Sequence, residues 1–444
     1  MSPPHRGLTK KEDRMMGKQI IRIAGIMLLC IGFSTTARAD FSGDWEYSAS
    51  GGLATIIEYH GSDATVEIPE TLDGNTVTVI GEYAFQYCYS MTSITIPTSI
   101  TSIGQGAFRK CSNLANITIP DSVTEIGDTA FAYCSSMTSI TIPVNVASIG
   151  TGVFRSCSNL AEIVVDASNI AYSSLNGVLF NKAVTELIAY PAGKPGTYSV
   201  PSSVTSIEDY AFFACTSLTS VTIPDSVTEI GEYVFAYCTN MISITIPANV
   251  TSIGTGAFNV CSALTAIVVD AGNTVYSSSN GVLFNKSVTE LIAYPAGKPD
   301  NTYSIPAGVT SIKDSAFFYC KSLVSIDIPN SVTVIEDSAF KECTLLENIT
   351  IPDTVTAIGE STFYNCRSLN SITIPNSITV IEDYTFDGCI RLTSITIPNT
   401  VTTIGECAFY NCTSLTSITI PASVTTIGNG AFEWCSGLTS VTIP

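Results

Sequence analysis

The stretch that decides the fold is Cys412 to Trp434, CTSLTSITIPASVTTIGNGAFEW, because most of the chain from Gln86 to Pro444 consists of copies of it. The copies recur at a fixed interval, such as that from Cys366 to Cys389 and again to Cys412. A fixed period indicates an architecture in which each unit packs on its neighbours. A phenylalanine precedes the opening cysteine of each copy by three residues, from Phe85 to Phe432. The thirteen opening cysteines are Cys88, Cys111, Cys134, Cys157, Cys215, Cys238, Cys261, Cys320, Cys343, Cys366, Cys389, Cys412 and Cys435.

One unit is typical of a short strand followed by a forced turn. Leu415, Ile418 and Ile420 give the spacing L-x-x-I-x-I, whose final alternation predicts a strand with one buried face. Pro421 has no N–H to donate to a ladder, so the strand ends there. One coil cannot bury so much apolar surface by itself. Coils stacked at roughly 4.7 to 4.9 Å, the spacing of hydrogen-bonded strands, can bury it.

The repeat L-x-x-I-x-I-P-x-x-V-x-x-I-G-x-x-A-F-x-x-C resembles that of the BspA-like, treponemal-type leucine-rich repeat proteins of bacterial surfaces. The resemblance implies a leucine-rich repeat solenoid of short β-strands and turns with little helix. It further implies a curved, right-handed coil with the parallel LTSITI strands on its concave face. A secreted or surface-displayed protein, often linked to adhesion, is the implied setting. The pattern specifies a fold strongly and a ligand hardly at all.

The residues before the repeats predict export. Several Lys and Arg precede the apolar run from Ile23 to Phe33, and Ala37-Arg38-Ala39 provides an A-x-A cleavage site. This is the pattern of a secretory signal peptide over residues 1–39, cleaved after Ala39, and the apolar run is too short to anchor the chain in a bilayer. Residues 40–84 depart from the repeat and are predicted to cap the first coil. Residues 85–444 are predicted to form one solenoid.

The charge composition excludes one class of partner. The chain carries 19 Lys+Arg and 38 Asp+Glu, for a formal net charge of −19. Residues 1–39 hold 7 of the cations and 2 of the acids, which leaves 12 and 36 in the exported part. Phosphate affinity needs clustered Lys and Arg, so we expect no nucleic-acid binding and no attraction to an anionic membrane surface. We also expect no insertion into a membrane after signal cleavage.

The cysteines admit two interpretations. An exported protein rich in cysteine normally contains disulfides. Equivalent positions of a solenoid, however, form a column inside the coils, where a thiol packs as a small apolar group and donates weakly to the turn backbone. We therefore predict reduced, buried cysteines, with Cys407 as the most exposed thiol because it lies outside the column. No C-x-x-C pair occurs, so no metal site is predicted in the column.

The period breaks twice in the same way. The intervals from Cys157 to Cys215 and from Cys261 to Cys320 each exceed two regular units by roughly a dozen residues, which predicts longer variant coils at about 158–201 and 262–306. Both contain nearly one text, YSSLNGVLFNKAVTELIAYPAGKP at 172–195 and YSSSNGVLFNKSVTELIAYPAGKP at 276–299. Each text predicts a β-hairpin.

The inventory for catalysis is thin, and we predict that the chain is not an enzyme. His60 is the only histidine after residue 39, so a histidine metal cluster cannot form. Paired acids can hydrolyse glycosides, but Glu208, Glu336 and Glu382 stand where other units carry glycine and are expected to be solvated turn positions. No cofactor signature occurs, and no cofactor is predicted.

The outward face of the strands carries a row of threonines. The threonine between the two apolar strand residues has a simple interpretation, because threonine favours a solvated strand position. The second interpretation is a hydroxyl array that binds an extended polysaccharide or a protein. The candidate ligand-binding members are Thr222, Thr245, Thr350, Thr373, Thr396 and Thr419.

The two hairpins are a second candidate surface. Lys182 and Lys286 belong to the few cations of the exported part, and Tyr190 and Tyr294 are candidate exposed aromatic anchors. The alternative is that both tyrosines pack on the neighbouring coil.

Taken together, these features predict an exported, non-catalytic binding or adhesion module for an extracellular protein or glycan. The first alternative is a structural surface component that self-associates through the last coil, since the chain stops at Ile443-Pro444 without a polar cap. The second is an extracellular carbohydrate-active enzyme.

Overall fold

A computed structural model of the chain describes residues 39–443. The predicted signal peptide lies outside the described residues except for Ala39. Within 39–443 the chain forms 39 β-strands and no helix. Most strands pair in parallel with the equivalent strand of the next coil, which confirms the predicted solenoid of stacked coils.

Each coil contributes a strand to a first row, formed by the LTSITI-type segments. In these strands the isoleucines face inward and the intervening residues face solvent, as in Ser417–Thr419. The first-row strands are β4 Thr65–Glu67, β7 Ser93–Thr95, β9 Asn116–Ile117, β11 Ser139–Ile142, β13 Glu162–Val165, β17 Gly196–Ser199, β19 Leu218–Thr222, β21 Ser243–Ile246, β23 Ala266–Val269, β27 Thr302–Ser304, β29 Ser325–Asp327, β31 Asn348–Ile349, β33 Ser371–Thr373, β35 Ser394–Thr396, β37 Ser417–Thr419 and β39 Ser440–Thr442.

A second row follows the proline turn of each coil. Most of its members are two residues long, and most end on a buried isoleucine. The second-row strands are β6 Asn75–Ile80, β8 Ser102–Ile103, β10 Glu125–Ile126, β12 Ser148–Ile149, β16 Glu186–Ala189, β18 Ser206–Ile207, β20 Glu229–Ile230, β22 Ser252–Ile253, β26 Glu290–Ala293, β28 Ser311–Ile312, β30 Val334–Ile335, β32 Ala357–Ile358, β34 Val380–Ile381, β36 Thr403–Ile404 and β38 Thr426–Ile427. The short strand β5 Thr71–Leu72 pairs with β6.

A corner segment of tight turns, such as residues 81–88, closes each regular coil. Alternate N–H groups of the corner bond to the next coil, as Tyr83 N–H does to the carbonyl of Gln105 and Phe85 N–H to that of Ala107, each at 2.8 Å. The corner therefore satisfies its backbone groups without a regular strand. The repeated phenylalanines point inward and stack with ring centres 5.1 to 5.9 Å apart along each uninterrupted run.

The repeat cysteines form the predicted buried column. All fourteen cysteines of the described region are free thiols. From Cys111 onward, each column thiol donates to a carbonyl of the preceding coil, for example Cys366 Sγ to Phe340 O at 3.1 Å. The prediction for Cys407 is wrong, because its side chain is only 4% exposed. The thiol lies over Gly430 of the next coil, where the missing side chain leaves room for it.

The segment before the repeats forms an antiparallel sheet of β1 Asp40–Ser42, β2 Trp45–Ser50 and β3 Leu53–Tyr59. Strand β3 pairs in parallel with β6 and so joins this sheet to the second row. The rings of Trp45 and Tyr59 lie 6.0 and 5.5 Å from the ring of Phe85. These contacts cover the first member of the phenylalanine column.

Each variant coil carries an antiparallel hairpin. In the first, β14 Tyr172–Leu175 pairs with β15 Val178–Asn181, and β15 pairs with β16. In the second, β24 Tyr276–Ser279 pairs with β25 Val282–Asn285, and β25 pairs with β26. The hairpins interrupt the second row after β12 and after β22.

Candidate ligand-binding surface

The threonine row lies where alternation along the strands predicts it. All six candidates, Thr222, Thr245, Thr350, Thr373, Thr396 and Thr419, are solvent-exposed. Thr373 shows the reason, since the residues on either side of it, Ile372 and Ile374, are buried in the core. The register places Thr373 directly beside Thr396 in parallel strands.

The hydroxyls of this row have no hydrogen-bond partner among residues 39–443. Other threonine columns of the solenoid behave differently, because their hydroxyls donate to a carbonyl one coil earlier. Thr402 Oγ1 donates to Thr379 O at 3.2 Å, and Thr425 Oγ1 donates to Thr402 O at 3.3 Å. Threonine thus has a structural use in those columns that it lacks in the outward row.

Three consecutive coils combine the threonine row with exposed serines two residues earlier. We call this set the hydroxyl patch. Its members are Ser371, Thr373, Ser394, Thr396, Ser417 and Thr419, all exposed and none ionisable. The patch is an uncharged surface of donors and acceptors on an otherwise acidic chain.

The expected exposed aromatic anchors are not exposed. Tyr190 and Tyr294 are each 4% exposed. Their rings stack on Phe212 and Phe317 at 5.0 and 5.2 Å, so they continue the phenylalanine column into the variant coils. A sequence signal was available, because the pairs Ala189-Tyr190 and Ala293-Tyr294 repeat the Ala-Phe pair of a regular unit.

The hairpin lysines are exposed but engaged within the chain. Lys182 Nζ donates to the carbonyl of Asn169, and Lys286 Nζ donates to that of Asn273, each at 2.5 Å. Asn169 is fully buried and holds the turn before its hairpin. These contacts give the two lysines a role in fastening the hairpins.

The three turn acids are dispersed. Glu208 and Glu382 are exposed as predicted, whereas Glu336 is half-buried and pairs with Lys313 at 2.5 Å. Burial raises the pKa of Glu208, and the neighbouring Glu186 raises it further. Each of the three acids belongs to a different coil, and the acids that raise the pKa of Glu208 and of Glu382 are other residues.

One cluster that the sequence analysis missed lies on the antiparallel sheet. Glu46, Glu58 and His60 bring one potential metal-ligand atom each within 4.8 Å of one another. Glu46 and Glu58 face each other across β2 and β3, which the register alone brings about. His60 Nε2 lies 3.0 Å from Glu46 Oε2, so the structure gives it an ordinary surface partner.

The last described coil exposes apolar side chains. Ile427, Trp434, Val441 and Ile443 are all solvent-exposed. Self-association through this coil stays a prediction.

No helix in residues 39–443 combines the length and the hydrophobicity needed to cross a membrane.

Stacked coils with leucine and isoleucine at fixed places and parallel strand rows define a leucine-rich repeat solenoid. The chain belongs to the BspA-type leucine-rich repeat family. The family described as "BspA type Leucine rich repeat region (6 copies)" matches residues 75–188, 196–297, 300–386 and 356–444. No curated protein matches this chain.

Solved structures of bacterial leucine-rich proteins resemble the chain over nearly its whole length. A leucine-rich cell surface protein from Faecalibacterium prausnitzii is 32% identical, with 92% of this chain and 95% of that chain covered and a TM-score of 0.48. A leucine-rich repeat protein from Eubacterium ventriosum is 26% identical, with coverages of 88% and 93% and a TM-score of 0.44. A third, from Bacteroides ovatus, is 28% identical, with coverages of 93% and 94% and a TM-score of 0.38. Family membership rests on the repeat match.

Proposed function

We propose that this chain is an exported, non-catalytic binding module that recognises an extended extracellular glycan or protein through the hydroxyl patch. The observation that carries the proposal is the row of exposed threonine hydroxyls without partners in the described part of the chain, which includes one on each of the three coils of the patch. Elsewhere in the same solenoid, exposed threonines are bonded to the backbone.

A repeated array suits an extended ligand. Parallel strands repeat at roughly 4.8 Å, so the patch presents equivalent donors and acceptors at regular steps. Single hydroxyl contacts are weak, but several made at once add up because the first contact holds the ligand near the others. The absence of charge on the patch favours a polar, neutral ligand surface over an ionic one.

A binding role fits the composition of the patch better than a catalytic role. Hydroxyls become nucleophiles only beside a base. His60 lies on the antiparallel sheet, whereas the patch occupies residues 371–419. We assign the serines and threonines to ligand contact.

Export to the cell surface is part of the proposal. The signal peptide expected over residues 1–39 supports it, as does the similarity to a protein described as a leucine-rich cell surface protein.

The test applies the exported chain, residues 40–444, to an array of glycans and extracellular matrix proteins. The patch variant combines Thr373→Lys, Thr396→Lys and Thr419→Lys. The matched control combines Asn376→Lys, Asn399→Lys and Ala422→Lys, which adds the same charge to the same coils at exposed positions after the proline turn. We expect saturable binding that the patch variant loses and the control keeps.

Equal loss in both variants would show a charge effect and contradict the patch. Unchanged binding in the patch variant would contradict it as well. Sedimentation of the same preparations addresses the competing role: an unmodified chain that binds nothing and self-associates at increasing concentration is a structural surface component.

A further inference from the structure

The variant coils leave two gaps in the corner of the solenoid. Each variant coil places one tyrosine in the phenylalanine column but does not form the rest of a corner segment. The first gap separates the corner at 150–157 from the corner at 208–215. The second gap separates the corner at 254–261 from the corner at 313–320. The two gaps come from duplicated sequence, so their contents can be compared position by position.

The chain fills the first gap with its own side chains. The guanidinium carbon of Arg155 lies 5.0 Å from the ring centre of Tyr210, 5.7 Å from Tyr133 and 5.8 Å from Phe213. Arg155 is only 8% exposed. The Tyr210 ring stacks on Tyr233 at 5.4 Å. A planar cation among aromatic rings therefore occupies this space.

The second gap lacks both filling side chains. Asn259 stands at the position of Arg155, and Ser315 stands at the position of Tyr210. Phe318 retains the position of Phe213. The result is a cavity of about 360 Å³ lined by Asn259, Ser315 and Phe318, among others.

A second aromatic residue of the first gap also has a counterpart in the second gap. Tyr237 stands at the position of Tyr133, and its N–H donates to Asn259 O at 2.8 Å, as Tyr133 N–H donates to Arg155 O at 2.9 Å. This backbone hydrogen bond is therefore the same in both gaps.

The Asn259 side chain lines the second gap, although the residue as a whole is only 8% exposed. Within residues 39–443 its amide makes no side-chain hydrogen bond, and its polar atoms are not among the fully buried unpaired ones, so the amide faces the open cavity. A group that binds there can therefore pair with this amide. Asp314 and Glu290 add carboxylates to the wall, whereas Lys313 is already paired with Glu336.

Asp314 also departs from its counterparts. Asp209, at the equivalent position of the first gap, accepts the backbone N–H of Glu232 at 2.6 Å, and Asp337 accepts that of Glu360 at 2.8 Å. Asp314 Oδ1 instead accepts the hydroxyl of Ser315 at 2.6 Å. Its carboxylate belongs to the cavity wall and is not committed to the ladder of the next coil.

We propose that the second gap is a binding site for a guanidinium group, which takes the place that Arg155 holds in the first gap. The site is separate from the hydroxyl patch, and the inference does not depend on the proposed function. A guanidinium has five N–H donors and no acceptor, which suits a wall of Asn, Asp and Glu oxygens. Its flat face suits the ring of Phe318. An arginine side chain of a partner protein and free arginine are the two sources of this group.

The site requires ionised Asp314. Glu232 and Glu336, together with Asp337, surround Asp314 with negative charge, Tyr233 also faces it, and Lys313 is the neighbouring cation. Burial raises the pKa of Asp314 to about 6, and the acids add to the shift. A bound cation stabilises the carboxylate, so affinity falls as the pH drops below about 6.

The experiment titrates the exported chain with N-acetyl-L-arginine amide, free L-arginine and N-acetyl-L-lysine amide in a calorimeter at pH 7.5. We expect one saturable guanidinium site, at least tenfold weaker binding of the lysine compound, and at least tenfold loss in Asp314→Asn. Preference for the blocked amide assigns the site to a protein side chain, and preference for L-arginine assigns it to the free amino acid. No saturation by either arginine compound, or equal binding of the lysine compound, overturns the proposal.

The duplication provides the matched variants. Asn259→Arg with Ser315→Tyr copies the first gap into the second, and we expect it to abolish binding with a folded protein, as judged by an unchanged melting temperature or a higher one. Unchanged affinity in this variant would place any binding elsewhere and overturn the proposal. Arg155→Asn with Tyr210→Ser opens the first gap in return. We expect the stoichiometry to increase from one to two, with the new site binding at least tenfold more weakly than the original one.

Discussion

The phenolic oxygen of Tyr172 accepts the backbone N–H of Ile149 at 2.8 Å. Ile149 ends β12, where the first hairpin interrupts the second row, so a side chain replaces the strand that would otherwise continue the ladder. The second variant coil repeats the device, since Tyr276 accepts the N–H of Ile253 at 3.0 Å. Both breaks in the solenoid are therefore closed by one tyrosine each.

Tyr172→Phe is expected to expose the amide of Ile149 to exchange. The variant removes the acceptor and leaves a half-buried N–H without a partner, which costs about 1 to 3 kcal/mol. Hydrogen exchange read by mass spectrometry over residues 145–152 measures the loss. Tyr276→Phe should affect residues 249–256 in the same way and leave 145–152 unchanged. Full protection of Ile149 in Tyr172→Phe would show that the contact carries no weight.

The column thiols are expected to resist alkylation in the folded protein. Burial raises the pKa of the Cys157 thiol to about 12 and that of Cys134 well above its ordinary value, so little reactive thiolate forms. Iodoacetamide at pH 8 should label Cys88 and Cys435, which are half-buried, before any column member between them. In urea all should react. Mass loss that indicates disulfides in the native protein would contradict the reduced column.

Tyr294→Ala is expected to destabilise the second variant coil strongly. Tyr294 is buried against Phe317, and loss of a large buried ring typically costs about 3 to 5 kcal/mol. Tyr294→Phe is the matched control, because it keeps the ring and loses only the hydroxyl bond to Asp300 Oδ2 at 3.2 Å. Urea unfolding followed by circular dichroism compares the two. Similar midpoints for both variants would mean that the ring does not contribute to the core.

Asp314→Asn is expected to make stability less dependent on pH. The folded pKa of about 6 lies above the ordinary 3.8, so the folded chain holds an extra proton between these values. The stability contributed by this proton is present below pH 4 and is lost as the pH rises through 6. The variant removes that loss, which we expect to be about 1 to 2 kcal/mol at pH 7 after allowance for solvent screening.

Urea midpoints from pH 4 to 7.5 test this expectation. Other acids with raised pKa, such as Glu360 and Glu382, keep part of the slope in the variant. Asp209→Asn is the control, because it makes the same substitution at the equivalent position of the first gap, where it weakens the bond from the Glu232 N–H. The dependence of its urea midpoint on pH is compared with that of Asp314→Asn. A slope in Asp314→Asn equal to that of the parent chain would rule out Asp314 as its source.

The regular units could be predicted almost completely. The fixed period places Phe409 on Phe386 and Cys412 beside Cys389 once coils stack in register, and the structure confirms both columns. Alternation along a strand likewise predicts that Thr373 faces solvent between two buried isoleucines. These inferences need only local geometry and translation by one coil.

The variant coils could not be predicted to the same depth. Tyr190 and Tyr294 stand near hairpins and cations, which favoured exposure, but the structure shows the alternative, in which both pack on the neighbouring coil. The Ala-Tyr pairs gave a signal for this place in the column, which the proximity of the hairpins and cations obscured. Cys407 was expected to be exposed because it lies outside the column, but the space above Gly430 accepts it. In each case the outcome depends on a neighbour supplied by a different coil.

The sequence by itself determined the solenoid, its stacked strand rows and the outward threonines, because each follows from residues that meet their own copies one period away. Only the tertiary structure decided which tyrosines are buried, which hydroxyls are free, and that Arg155 and Tyr210 fill one gap while Asn259 and Ser315 leave the other open. Where the period breaks, the facing residues, such as Arg155 and Tyr210, lie more than two regular units apart in the chain. Their contacts depend on side-chain volume and charge across the gap, which spacing along the chain does not specify.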